Sequence, residues 1–300
     1  MLETEQPLSI LLTGGAGQVG LELLAAKWPD HITLHAPARS ELDLGNASAI
    51  ARLFSSRAYA AVINSGAYTA VDRAENEVAA AYSANALGPA LLADATRAAG
   101  IPLIQVSTDY VFDGARIGEY NEDEAVQPLG VYGASKLAGE MAVLRGNPRS
   151  TVLRTAWVVS QHRTNFVKTM LRLATERPTL RVVNDQHGNP TSARDIAEAL
   201  KTITLRMIED EAAPRGIFHF VNAGATTWAG LAREVLAFSE AHGGPTAKVE
   251  NITTAEFPTA ASRPVNSRLA TQRIQREYGV VPRPWQSAVS EIVDQLSVKE

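Results

Sequence analysis

The chain has no cysteine. Disulfide staples, thiol catalysis and thiolate-held zinc are therefore excluded. It also lacks an excess of base. Twenty-eight Lys and Arg face 32 Asp and Glu, a net charge of −4, which argues against a nucleic-acid partner. No apolar run is long enough to cross a membrane, and the acidic opening Met1-Leu-Glu-Thr-Glu-Gln6 lacks the basic segment of an export signal. A cytoplasmic protein with no membrane partner is predicted. Internal repeats, charge blocks and a Gly-x-Ser-x-Gly elbow are absent. The six histidines show no metal-ligand spacing on a helix, so no metal site is assigned.

What is present is an alternation of short apolar runs with helical periodicity. Strands are predicted over residues 8–13, 32–35, 61–64, 101–106 and 151–155. Helices are predicted over 18–28, 47–56, 75–99 and 132–144. This alternation predicts an α/β fold, a Rossmann-like doubly wound parallel sheet. After about residue 160 the alternation loosens. Helices are predicted over 165–175, 193–207 and 227–241, with short strands at 181–183 and 217–221. The chain therefore divides into a nucleotide-binding domain over 1–160 and a smaller C-terminal substrate-binding lobe over 161–300. Some elements of the second part return to the first sheet. With 300 residues, a large core can be buried.

Three motifs carry chemistry. Gly14, Gly17 and Gly20 stand at Gly-x-x-Gly-x-x-Gly spacing, directly after the first strand and opening the first helix. Glycine permits the tight turn and lets backbone approach a pyrophosphate, while the helix start offers free N–H groups. At the end of the second strand the usual ribose-binding acid is missing. Arg39 stands nearby, where it could pair with a 2′-phosphate or simply be exposed to solvent.

Thr108 follows the fourth strand, so its hydroxyl belongs at the carboxyl edge that holds ligands in open α/β sheets. Tyr132 and Lys136 lie four residues apart and share a helix face. A neighbouring ammonium would lower the tyrosine pKa and suit it as a proton donor near neutral pH. Thr108 could hold a substrate carbonyl while Tyr132 protonates it. Trp157, just beyond a strand, suits a flat ligand surface.

With these motifs the chain resembles the extended short-chain dehydrogenase/reductase family. The matching segments run across nearly the whole chain. Besides the glycine turn and Tyr132–Glu140 they include Leu42-Asp-Leu44, the run from Asn64 to Glu75, and the run from Val106 to Gly114. Further matches are Leu153-Arg-Thr-Ala-Trp-Val158, Val182-Val-Asn-Asp-Gln-His-Gly-Asn-Pro-Thr191 and Arg263-Pro-Val-Asn-Ser-Arg-Leu269. The Ser-Thr-Asp-Tyr, Asp-Gln-x-Gly and Arg-Pro-x-Asn-Ser segments point to the sugar-nucleotide reductases within that family.

The resemblance implies reduction of the C4 ketone of dTDP-4-dehydro-L-rhamnose to dTDP-L-rhamnose. Gly17, Gln18 and Val19 would bind the pyrophosphate, and Asp43 and Leu44 would border the adenine. Ala67, Tyr68, Thr69 and Val106 would line the cofactor path. Tyr132 would donate the proton and Lys136 would hold the nicotinamide ribose. Thr108, Asp109 and Trp157 would face the sugar. Arg263, in a late loop, is read as a partner for the substrate diphosphate or for a surface carboxylate.

The missing strand-two acid leaves NADPH and NADH both open. Some relatives dimerise through magnesium and surface glutamates, but no complete metal set can be mapped here. An epimerase or dehydratase of the same fold, or a non-catalytic regulatory subunit, are the alternatives. Tyr110, where dehydratases carry a glutamate, departs from the dehydratase pattern.

Overall fold

The computed structural model describes residues 7–297. Residues 1–6, whose acidity argues against an export signal, lie outside the described residues. Six strands form one all-parallel sheet: β1 (Leu8–Thr13), β2 (Ile32–His35), β3 (Ala61–Asn64), β4 (Leu103–Thr108), β5 (Ser150–Thr155) and β6 (Gly216–His219). Their order is β2-β1-β3-β4-β5-β6. The chain moves outward from β1 to β2, then crosses back to β3, so the order reverses between β1 and β3. A crevice at the carboxyl ends of the strands is expected at that reversal.

Both sheet faces are covered, as the period-two packing of the strands requires. Ile10, Leu12, Ile63, Ile104 and Leu153 face one side, against α1 (Gln18–Ala25) and α5 (Ala193–Glu209). Leu11, Val62, Leu103 and Val152 face the other, against α2 (Ala47–Ser56), α3 (Gly88–Ala98) and α4 (Val131–Gly146).

A second core gathers Val167, Leu180, Val235 and Val289 under α6 (Trp228–Ala241) and α7 (Trp285–Ser297). It rests on a parallel pair, Thr179–Val183 with Lys248–Ile252. Beside it lies a small sheet in which His187–Gly188 pairs with Thr226–Thr227 on one edge and Asn266–Ser267 on the other. The chain enters this lobe after β5, returns to the first sheet for α5 and β6, and then goes back.

Several boundaries differ from the periodicity. The first helix ends at Ala25 rather than residue 28. The fourth strand runs over Leu103–Thr108, not 101–106, and the strand at 217–221 is Gly216–His219. The expected single helix over 75–99 is broken. A short turn, Val71–Ala74, is followed by Val78–Tyr82, a π-helical turn over Ser83–Leu87, and then α3. Alanine favours helix throughout but cannot dictate its pitch. At the π turn, buried Asn85 takes the Tyr68 N–H at 2.8 Å and donates to Ser135 Oγ at 3.0 Å. No helix among the described residues is long and apolar enough to cross a membrane.

Candidate active site

The β1–α1 turn brings backbone together at van der Waals limits. Gly14 has φ 72°, and a Cβ there would lie 2.5 Å from the Gly66 nitrogen. A Cβ on Gly20 would collide with the Gly14 carbonyl. Gly17 occupies the N-cap of α1 with no side chain capping the helix. The N–H groups of that first turn are therefore left for an outside acceptor. Gln18 and Val19 begin the helix behind it.

A line of polar groups runs along the carboxyl edge of the sheet from this turn. Thr13 donates to Asn64 Oδ1. Asn64 Nδ2 donates to Gln105 Oε1 at 2.7 Å, and Gln105 Nε2 donates to the Val106 carbonyl at 2.8 Å. The same carbonyl accepts Lys136 Nζ at 2.7 Å. Asn64, at the end of an otherwise apolar strand, and Gln105, inside β4, are both buried and polar. That contrast was a readable signal, yet no role was assigned to either from sequence.

Tyr132, Lys136, Thr108 and Asp109 converge at the far end of this line. Burial pushes the Tyr132 phenol well above its ordinary value. The Thr108 hydroxyl opposes the shift, while Asp109 and Tyr110 add to it. The Tyr110 ring packs edge-on at 5.4 Å. The structure thus corrects the expectation that Lys136 lowers this pKa. The ammonium is turned to the Val106 carbonyl, and desolvation dominates. Burial also pulls Lys136 down to about 8, against the raising effect of Glu140.

Thr108 Oγ1 donates to Asp109 Oδ1 at 3.0 Å and accepts the Tyr110 N–H at 3.2 Å. Asp109 Oδ2 is buried with no partner among the described residues. Burial raises that carboxyl to about 6, and the hydroxyls of Ser267 and Thr108 resist the shift. Ser267, on the small sheet of the second lobe, was not singled out from sequence.

One turn beyond Lys136, Glu140 takes a bidentate pair from Arg154, with Nε at 2.9 Å and Nη2 at 2.6 Å. Both side chains are buried, and the Arg154 guanidinium lies 5.1 Å over the Phe112 ring. This pair places an ion-paired carboxylate one helical turn from the lysine.

On the substrate side, Trp157 has a left-handed backbone, φ 47°. Its ring is not free. It stacks on Trp228 at 3.6 Å and 10°, and a Cβ on Gly188 would meet it. Trp228 was missed from sequence because it opens a helix in the other lobe.

Arg263 donates from Nη2 to Asp72 Oδ2 at 2.6 Å, and Nη1 lies 3.4 Å from the Tyr110 hydroxyl. The carboxylate partner considered from sequence is therefore present. Tyr68, in the loop after β3 with Ala67 and Thr69, donates its hydroxyl to Glu77 at 2.6 Å. Leu44 lies against Gly66 and Gly88. Asp43 accepts the Gly45 N–H at 3.1 Å, and Arg39 is exposed beyond β2. Among the described residues no group of three His, Asp or Glu could hold a metal ion.

Comparisons with known proteins agree along nearly the whole chain. The family model described as RmlD substrate binding domain matches residues 8–298. A dTDP-4-dehydrorhamnose reductase of Sinorhizobium fredii is 42% identical over 95% of this chain and 97% of its own length. That of Escherichia coli is 37% identical over 96% and 98%. A solved dTDP-4-dehydrorhamnose reductase of Bacillus anthracis in complex with NADP superimposes with a TM-score of 0.89 at 31% identity, covering 97% of this chain and 100% of that one. A dTDP-glucose 4,6-dehydratase of Streptomyces venezuelae, with a TM-score of 0.77 at 18% identity over 97% and 98%, shares the fold.

Proposed function

The chain belongs to the RmlD substrate binding domain family and is an NAD(P)H-dependent oxidoreductase; from that premise we propose that it reduces the C4 ketone of dTDP-4-dehydro-L-rhamnose, giving dTDP-L-rhamnose. The observation that carries this reading is the meeting of Thr108, Tyr132 and Lys136 at the carboxyl edge, on the same polar line as an uncapped glycine turn.

The turn fits a dinucleotide. Gly14 and Gly20 leave no room for side chains, and the helix start behind Gly17 has no cap of its own. Gly14, Gly17, Gln18, Val19 and Gly20 would hold the pyrophosphate. Asp43 and Leu44 would border the adenine, with Arg39 near a 2′-phosphate. Ala67, Tyr68, Thr69 and Val106 would flank the path to the nicotinamide, whose ribose Lys136 would meet. NADPH, when bound, supplies the hydride.

The protein's own part is to orient the ketone and deliver a proton. Burial keeps Tyr132 protonated at neutral pH, so it enters the reaction as an acid. It gives its proton to the C4 oxygen as negative charge builds there. The Thr108 hydroxyl, beside the phenol, orients that oxygen. Lys136 is charged below about pH 8 and sets positive charge one helical turn away. Asp109 and Trp157 would face the sugar, Trp157 backed by Trp228 of the second lobe, and Arg263 would exchange Asp72 for the substrate diphosphate.

The test is NADPH oxidation by the purified protein with dTDP-4-dehydro-L-rhamnose, with the product identified by chromatography. Formation of dTDP-L-rhamnose is expected. No oxidation, or turnover with the free keto sugar as fast as with its nucleotide, would overturn the reading.

A further inference from the structure

Among the described residues only Trp157 and Arg163 are non-glycine residues with positive φ, at 47° and 52°. Arg163 lies in the segment 160–165, which lies across the glycine turn from the far side of the chain. Ser160 Oγ donates to Gln18 Oε1 at 2.7 Å, and Asn165 Nδ2 donates to the same oxygen at 3.1 Å. Arg163 Nε donates to the Ala16 carbonyl at 2.7 Å. The His162 ring lies 3.0 Å from Glu22 on α1.

The Arg163 side chain is held by one nitrogen and left open at the other two. Its Nε bond to Ala16 fixes the guanidinium one residue before the N-cap glycine of α1. Its terminal nitrogens have no hydrogen-bond partner, and no carboxylate pairs with it, among the described residues. Half of the exposed arginines here do find a carboxylate. A left-handed backbone is also unfavourable for any residue with a Cβ, whereas glycine would make this turn without strain. The side chain therefore has a use that the backbone alone does not explain.

We propose that Arg163 is a cofactor-binding residue, its guanidinium taking the pyrophosphate of the dinucleotide at the glycine turn. The inference rests on the NADPH-dependent reading above. The turn supplies backbone N–H groups and the partial positive charge of a helix start. Arg163 adds a full charge and a planar fork that matches two phosphate oxygens. The segment 160–165 thus becomes a strap that orders Gln18 through Ser160 and Asn165, and closes the pyrophosphate site through Arg163.

The test is equilibrium binding of NADPH and of NADH, read from nicotinamide fluorescence without sugar nucleotide, together with thermal melting. Wild type is compared with Arg163→Gly and Arg163→Gln. Kd for both dinucleotides should rise about tenfold in each variant, the loss of roughly one charge-assisted hydrogen bond. Arg163→Gly should melt no lower than wild type, because glycine relaxes the left-handed backbone.

Unchanged Kd values in both variants would overturn the proposal. So would a rise confined to NADPH, which would assign Arg163 to the 2′-phosphate instead. A lower melting temperature in both variants with unchanged Kd would make Arg163 only a latch for the strap. If wild type itself bound neither dinucleotide, the reductase reading would fail, and the proposal with it.

Discussion

In the proposed reaction Tyr132 would enter with its proton firmly held, so its value would lie in position rather than acidity. Removing the hydroxyl removes that proton and nothing from the backbone. Tyr132→Phe should lower kcat by about 10²-fold or more while NADPH still binds. Near-wild-type kcat in a steady-state assay would end its assignment as donor. Arg263 offers a second test at this scale. If it exchanges Asp72 for the substrate diphosphate, its loss should raise KM for the sugar nucleotide about tenfold and leave KM for NADPH nearly unchanged. Equal KM values in Arg263→Ala and wild type would leave Arg263 as the partner of Asp72 alone. Single residues were unevenly legible. The glycine spacing and the Tyr132–Lys136 pair could be read because their geometry is local. The tilt of the Lys136 ammonium toward Val106, the stack of Trp157 on Trp228 and the contact of Ser267 with Asp109 could not. Each depends on where a distant segment comes to rest.

Among the elements, α4 carries the most chemistry per turn. Tyr132, Lys136 and Glu140 follow one another at four-residue intervals, and Glu140 is clamped by Arg154 from β5. Lys136 titrates near 8, so its charge is present below that pH and lost as pH rises through it. kcat/KM should fall along the same limb. Glu140 raises the lysine pKa, so Glu140→Gln should move the limb to lower pH. It should also destabilise the fold by about 3–5 kcal/mol, because Arg154 would be left buried and unpaired. A pH profile that did not move, in a variant that still folds, would show that Glu140 serves only the core. The alternation of strand and helix was legible because buried parallel strands read as short apolar runs. The helix over 75–99 was not, because alanine-rich composition cannot register a π turn. That turn is set by Asn85 bridging to Tyr68 and Ser135.

For the whole molecule, the sheet is the shared property of both halves of the sequence. β6 pairs with β5, and α5 covers the face that also carries α1, yet both come after the first excursion into the small lobe. A fragment ending at residue 192 would keep β1–β5 but expose the β5 edge and the Ile10, Ile63 and Leu153 face. It should be insoluble when expressed alone. A soluble fragment with a cooperative melt would show that the first 192 residues are self-sufficient.

The interlaced path also sets a timetable for synthesis. A chain leaving the ribosome completes its glycine turn early, but the sheet face behind that turn is covered by α1 alone until Ala193–Glu209 has emerged. Translation through the small lobe's first half is therefore a window of exposure. A pause there would lengthen the time in which the unfinished sheet can meet a chaperone or another nascent chain. Rapid passage through those codons would shorten it without changing a single residue of the finished protein.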